Sequence, residues 1–191
     1  MLPIALGLDT WPIVLAGAGR AVVQRLTLLD EAGAVHLTVF CATPDPAFRA
    51  AAGTRLRERL PSLDEIAQAR LVLLGGLGAA DTIRLAQAAR EHRALLNVED
   101  DPPWCDFHMP SIVRRGGLVL AVSTGGASPA LAVRISAWLG RRFGPQWAGR
   151  LEQAAALRRD LRAAGAPPAQ VTAEVSALCD REAWLEDNGV R

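Results

Sequence analysis

Lysine is absent from this 191-residue chain, so apart from three histidines all 21 of its basic side chains are arginine. Compositional bias accounts for most of that, but it leaves each cationic side chain as a planar fork able to grip carboxylates in a bidentate way. Cysteine is scarce: Cys41, Cys105 and Cys179 are far apart and odd in number. That excludes a disulfide framework and a paired-thiol zinc site. Long apolar runs are missing too, since Leu71–Leu74 and Leu118–Val122 are only of strand length, and no membrane partner is expected. No basic region followed by a long apolar stretch and small-residue cleavage site opens the chain, which makes cytoplasm the expected location. An excess of either charge is also lacking: the net charge of +1 excludes a general polyanion binder, so no nucleic-acid partner is expected. What remains is a chain of 50% apolar residues, enough for a full core and incompatible with disorder.

The apolar segments alternate in period. Trp11–Ala16 is rich in β-formers and runs into Gly17-Ala18-Gly19. Val22, Val23, Leu26, Leu29 and Ala32 then recur at helical spacing until Gly33. Val35–Phe40 reads as a second strand, Ala47–Arg59 as a helix, and Leu63–Arg70 as a short connection. Leu71–Leu74 is apolar throughout, as befits a parallel strand covered on both faces. A helix capped by Asp81 and a strand over Ala94–Val98 follow. This alternation predicts an α/β, Rossmann-like doubly wound parallel sheet over residues 1–111. After Ser111 the pattern changes. Two β-like pieces flank a hairpin signal at Arg114–Gly117, a helix spans about Pro129 to Phe143, and the rest is helical with a break at Gly165–Pro168.

Three stretches carry chemistry. Gly17-Ala18-Gly19, between strand and helix, is placed to let backbone approach a pyrophosphate at a helix N-terminus, although Val22 stands where a third small residue is usual. Val39–Ala42, at the end of the second strand, carries neither the acidic residue of an NAD site nor an arginine for NADP. The segment from Asn97 to Ser111 crowds Glu99, Asp100, Asp101, Cys105 and His108 among prolines. Crowded carboxylates suit one member to general-base work or to binding a divalent metal, and a solvated loop of capping aspartates is an equal alternative. Cys105 and His108 have a metal-ligand spacing but number only two. Finally, Ser123–Ser128 is either an anion-binding turn or a helix cap, with Arg134, Arg141 and Arg142 on the helix beyond it and Arg158, Arg159 and Arg162 further on.

In order and spacing, four motifs match one family: Leu2-Pro3-Ile4 before the glycine turn, Glu31-Ala32-Gly33-Ala34, Asn97-Val98-x-Asp100-x-Pro102 running on to Phe107-x-Met109-Pro110-Ser111, and Ala121-Val122-Ser123-Thr124-Gly125-Gly126-Ala127-Ser128-Pro129. The chain resembles the precorrin-2 dehydrogenase/sirohydrochlorin ferrochelatase family, the N-terminal module of siroheme synthases and its stand-alone relatives. The resemblance implies NAD-dependent oxidation of precorrin-2 to sirohydrochlorin, with ferrous iron then inserted to give siroheme. It implies a homodimer with a Rossmann domain over 1–111, an α+β dimerisation region over 112–145 and a helical domain over 146–191. Asp100 takes the family's position for proton abstraction and for transient metal contact during chelation. Cofactor contacts are expected at Gly17, Ala18, Gly19, Arg20, Ala21, Cys41 and Ala42. Substrate contacts are expected at Asn97, Ser111, Ser123, Thr124, Gly125, Ser128 and Arg134, because a polycarboxylate macrocycle calls for arginine counter-charge. The chain departs from the family at Gly76-Leu77-Gly78, which replaces Ala-Thr-Asp. That departure keeps open a second reading, a tetrapyrrole chelatase or carrier without the NAD-dependent step.

Overall fold

A computed structural model describes residues 2–186 and divides into two compact units, 1–108 and 109–191. In the first unit five parallel strands form a sheet of order β3-β2-β1-β4-β5, with β1 Ile13–Gly17, β2 Leu37–Phe40, β3 Leu56–Arg57, β4 Leu71–Gly75 and β5 Leu95–Val98. Every residue of β1 and β4 is buried, because helices cover both faces. The helices are α1 Gly19–Glu31, α2 Pro46–Ala52, α3 Leu63–Ala67 and α4 Ala79–Glu91. Strand order reverses between β1 and β4, so the crevice beyond their carboxyl ends is where such a sheet binds ligands. The doubly wound parallel sheet expected from the alternation is present.

Local chemistry explains where elements begin and end. Gly33, at φ +75, lets the chain leave α1, and Ala34 N–H returns to the Leu29 carbonyl at 3.0 Å. The helix expected over Ala47–Arg59 is shorter. Asp45 caps α2 through the Phe48 amide, but Gly53 turns to φ +56 at Ala52's end, and Leu56–Arg57 pairs with β2 as an unforeseen edge strand. The supposed connection over Leu63–Arg70 contains α3, started by a capping box. The Ser62 hydroxyl accepts from Glu65 N–H at 3.2 Å, and the Glu65 carboxylate accepts from Ser62 N–H at 2.8 Å. Asp81 does not cap α4: Gly78 is the cap residue and Asp81 pairs with Arg84 inside the first turn.

In the second unit β6 Ser111–Arg115 and β7 Leu118–Val122 form an antiparallel hairpin. Its two-residue loop puts Gly116, at φ +56, where a left-handed residue is needed. Helix α5, Pro129–Arg142, packs on the hairpin and is tied to it by Arg115, which donates to the carbonyls of Gly140 and Phe143 at 2.8 and 2.7 Å. Helices α6 Trp147–Ala163 and α7 Pro168–Arg181 pack on each other, with Arg150 over both Trp147 and Trp184. Among the described residues no helix is long and apolar enough to cross a membrane.

The Arg59 fork and the Ser62 amide hold the Glu65 carboxyl at about 2, below its ordinary 4.5. A group whose folded pKa is depressed stabilises the fold above its ordinary value and loses that contribution as pH falls through the folded one. Urea denaturation of Glu65→Gln is therefore expected to show a smaller loss of midpoint than the native chain between pH 5 and pH 3 (roughly the upper part of the carboxylate range). Equal losses would show that this carboxylate does not contribute to acid sensitivity.

Candidate active site

At the carboxyl ends of β1 and β4 the two backbones nearly touch. A Cβ built on Gly17 would lie 1.7 Å from the Gly75 carbonyl oxygen, and one on Gly76 would lie 2.2 Å from that of Ala18. Ala18 N–H donates to the Gly75 carbonyl at 3.0 Å, which locks the turn between β1 and α1 against the end of β4. Gly19 opens α1 at φ +67. Neither α1 nor α4 has a side-chain cap, whereas α2 and α3 of the same unit are capped by Asp45 and Ser62. The first-turn amides of the two helices flanking the switch point are thus left to be met by a ligand or by water.

Val22 is 1% exposed at the position where a small residue was expected. The close helix–strand approach occurs instead at Ala21, whose Cβ would be 3.1 Å from one placed on Gly75. Gly76, at φ +64, is required by the backbone there, so the departure at Gly76-Leu77-Gly78 has a steric logic of its own. Leu77 packs against the core. The residues Gly17, Ala18, Gly19, Arg20 and Ala21 form one turn, and Cys41 lies buried at the end of β2 with Ala42 exposed after it.

Beside this turn is a cavity of about 370 Å³, walled by the Gly75–Leu77 backbone, Ile83, Trp104 and the run Val98–Asp101. The loop that ends it is built by its own polar groups. Asn97, 6% exposed, donates to the Phe107 carbonyl at 3.0 Å. Cys105 Sγ contacts the Val98 carbonyl at 3.1 Å and lies 3.4 Å from Val98 N. Asp106 pairs along β5: its carboxylate accepts from Leu96 N–H and its own N–H donates to the Leu96 carbonyl, both at 2.8 Å. Arg90 covers the outer face of Trp104, with its guanidinium carbon 4.2 Å from the ring centre. Asp100 stands exposed at φ +54, a backbone conformation that only a few non-glycine residues adopt and that clusters at functional positions. Of the three crowded carboxylates, geometry therefore separates Asp100 from Glu99, which is half-buried and 3.7 Å from Arg25.

Among the described residues Cys105 and His108 are not brought into a cluster of metal ligands. The thiol is spent on backbone carbonyls, His108 is exposed, and among the described residues no group of three or more His, Cys, Asp or Glu is placed to hold a metal ion. Ser111, Ser123, Thr124, Gly125, Ser128 and Arg134 belong to the second unit. Ser111 opens β6, and Arg134 is exposed on α5. In the loop before α5, Ser123 and Thr124 oxygens accept from the amides of Gly125 and Ser128 at 3.2 and 3.1 Å, and Ser128 caps the helix through Leu131 N–H at 3.3 Å. Their hydroxyl protons stay available as donors.

Arg25 and Gly75 escaped the sequence reading, whereas Ile83 was read only as part of a helix face and Trp104 only as an unusual neighbour of Cys105 and His108. Arg25 alone left a signal: it lies at helical spacing with Val22 and Leu29, on a face otherwise apolar.

A family model described as putative NAD(P)-binding matches residues 4–111, the whole of this sheet and its glycine turn. The chain belongs to that NAD(P)-binding family. Its relatives include the siroheme synthase of Methylococcus capsulatus, 37% identical over 75% of this chain and 31% of the relative. The siroheme synthase of Nitrosospira multiformis is 35% identical over 83% of this chain and 35% of its own length. These relatives carry the resemblance that the motifs suggested. This chain spans about a third of the siroheme synthases it matches. A solved structure titled SirC, precorrin-2 dehydrogenase, has the same fold, with a TM-score of 0.77, 18% identity, and coverage of 97% of this chain and 93% of that one.

Alanine at Gly76 should force the Ala18 turn apart. Thermal unfolding of Gly76→Ala is expected to show a loss of about 1–3 kcal/mol, and calorimetric NAD affinity should fall by more than about tenfold. Unchanged affinity would remove the turn from the cofactor site.

Proposed function

We propose that the protein is a precorrin-2 dehydrogenase that uses NAD and yields sirohydrochlorin. The observation that carries this reading is the side-chain-free cradle at Gly17, Gly75 and Gly76, beside two uncapped helix starts and next to a cavity bordered by Asp100. A dinucleotide pyrophosphate fits that cradle, because backbone amides must approach it where no side chain intervenes. Gly17, Ala18, Gly19, Arg20 and Ala21 would hold it, with Cys41 and Ala42 after β2 as further contacts. Bound there, NAD supplies the hydride acceptor.

The chain's own contribution is placement and proton handling. Dehydrogenation takes a hydride and a proton from the reduced macrocycle, and the Asp100 carboxylate receives the proton. Trp104, Ile83 and Leu77 give the cavity apolar surface beside Asp100. Asn97 fixes the root of the loop by its bond to Phe107. In this reading Ser111, Ser123, Thr124, Gly125, Ser128 and Arg134 serve the substrate's carboxylates, with arginine forks as counter-charge. In this reading the protein works as a cytoplasmic homodimer joined through residues 112–145 and followed by a helical domain, expected over 146–191, of which residues 187–191 lie outside the described residues.

The second activity, ferrous iron insertion into sirohydrochlorin, exchanges two pyrrole protons for the metal. Asp100 again serves, taking protons and touching the metal in passing. It is exposed at the cavity edge, where a carboxylate can do both. The reading that drops the redox step is motivated by Leu77, which offers no hydroxyl beside the cradle.

Two measurements test these assignments. Precorrin-2 mixed with the protein should change its absorbance to that of sirohydrochlorin only when NAD is added, and ferrous ion should then give the siroheme spectrum. Chelation without NAD-linked oxidation would leave the chelatase reading standing. Replacement of Asp100 separates carboxylate from backbone. Asp100→Gly should fold at least as stably as the native chain, by up to about 1 kcal/mol, yet turn over at least about a hundredfold more slowly. Full activity in that variant would sink the assignment of the base.

A further inference from the structure

Arg25 lies on the buried face of α1 at 9% exposure, facing the sheet. Its Nη2 donates to Asn97 Oδ1 at 3.1 Å, and its Nη1 is 3.7 Å from the Glu99 carboxylate. Both partners belong to the segment that leads to Asp100. To reach them from α1 the guanidinium must pass over β4, and it does so at the one residue of that strand without a side chain to block it. A Cβ on Gly75 would lie 3.4 Å from Arg25 Nη1 and 3.2 Å from Glu99 Oε2. Asn97 passes the tether on through its bond to the Phe107 carbonyl and its contact with Cys105 Sγ at 3.6 Å. The loop is therefore held at its start, at Glu99 and at its return.

We infer that Arg25 is a positioning residue for the proton transfer: it clamps the Asn97–Phe107 loop to the helix that begins at the nucleotide turn, and so fixes Asp100 against the cofactor cradle. Stability alone does not account for it. Its Nε is buried without a partner, and an apolar side chain of similar length would serve that face of the helix better. Asp100 in turn needs such support, because its positive φ persists only when neighbouring groups over-determine it. The arginine makes no claim on the turn itself, which is held by Ala18, Gly75 and Gly76. Cofactor affinity and Asp100 placement are thus separable.

This inference rests on Asp100 as the base, and the test keeps the two apart. Arg25→Met should lower kcat for precorrin-2 oxidation by about ten- to a hundredfold, the scale of a small misplacement, while KM for precorrin-2 and Kd for NAD stay within about twofold. Glu99→Gln, which keeps an acceptor and the loop's shape, should lose kcat in the same sense but less, and it replaces Arg25→Met if that variant does not fold. Hydrogen exchange of residues 98–107 should be about tenfold faster in either variant, with α1 amides unchanged. A native protein that shows no oxidation would end the dehydrogenase reading but leave the exchange measurement to decide the clamp. Loss of NAD affinity in step with kcat, or unchanged exchange in the loop, would overturn the positioning role.

Discussion

Between the carboxyl ends of β1 and β4 there is room for backbone and for nothing else. Three glycines meet that constraint in different ways. Gly17 and Gly76 avoid collisions with the facing chain, at Gly75 and Ala18 respectively, while Gly75 also clears a passage above the strand. From the closeness of the two strands follow the locked turn, the bare starts of α1 and α4, and the cradle that a pyrophosphate would occupy. The passage over Gly75 lets α1 reach the loop after β5. A side chain at any of the three positions would therefore disturb more than its own neighbourhood.

The loop from Asn97 to His108 is ordered almost wholly by polar contacts. Its prolines limit the backbone, and its thiol, amide and carboxylate side chains each satisfy backbone groups that a tight return leaves unpaired. Within that frame Glu99 and Asp101 are half-buried and Asp100 is turned outward by its backbone. Three adjacent acids thus acquire different surroundings: Glu99 faces Arg25, Asp101 is half-buried and Asp100 is turned to solvent.

Much of the first unit was legible from period and punctuation. Apolar runs of strand length, glycines after helices and the turn after β1 announced a parallel doubly wound sheet, because each follows from local sterics. The edge strand at Leu56–Arg57 was not legible: two residues carry no period, and only pairing with β2 makes them a strand. The α3 capping box was written in Ser62 and Glu65 and was overlooked. At the site, the motif around Asp100 pointed to that residue, but Arg25 lies seventy-two positions from Asn97 and no local pattern links them. Cys105 misled for the complementary reason. Its spacing to His108 suggested coordination, whereas folding turned the thiol onto main-chain carbonyls.

Asp106 has one further consequence. By exchanging two hydrogen bonds with Leu96 it stands in for a sixth strand along the outer side of β5. An open strand margin is a template on which another chain can add itself, and proteins commonly blunt such margins. Here the blunting is done by the same loop that presents Asp100. Damage to that loop would uncover a sticky border as well as displace Asp100, so variants in this region should be prone to self-association.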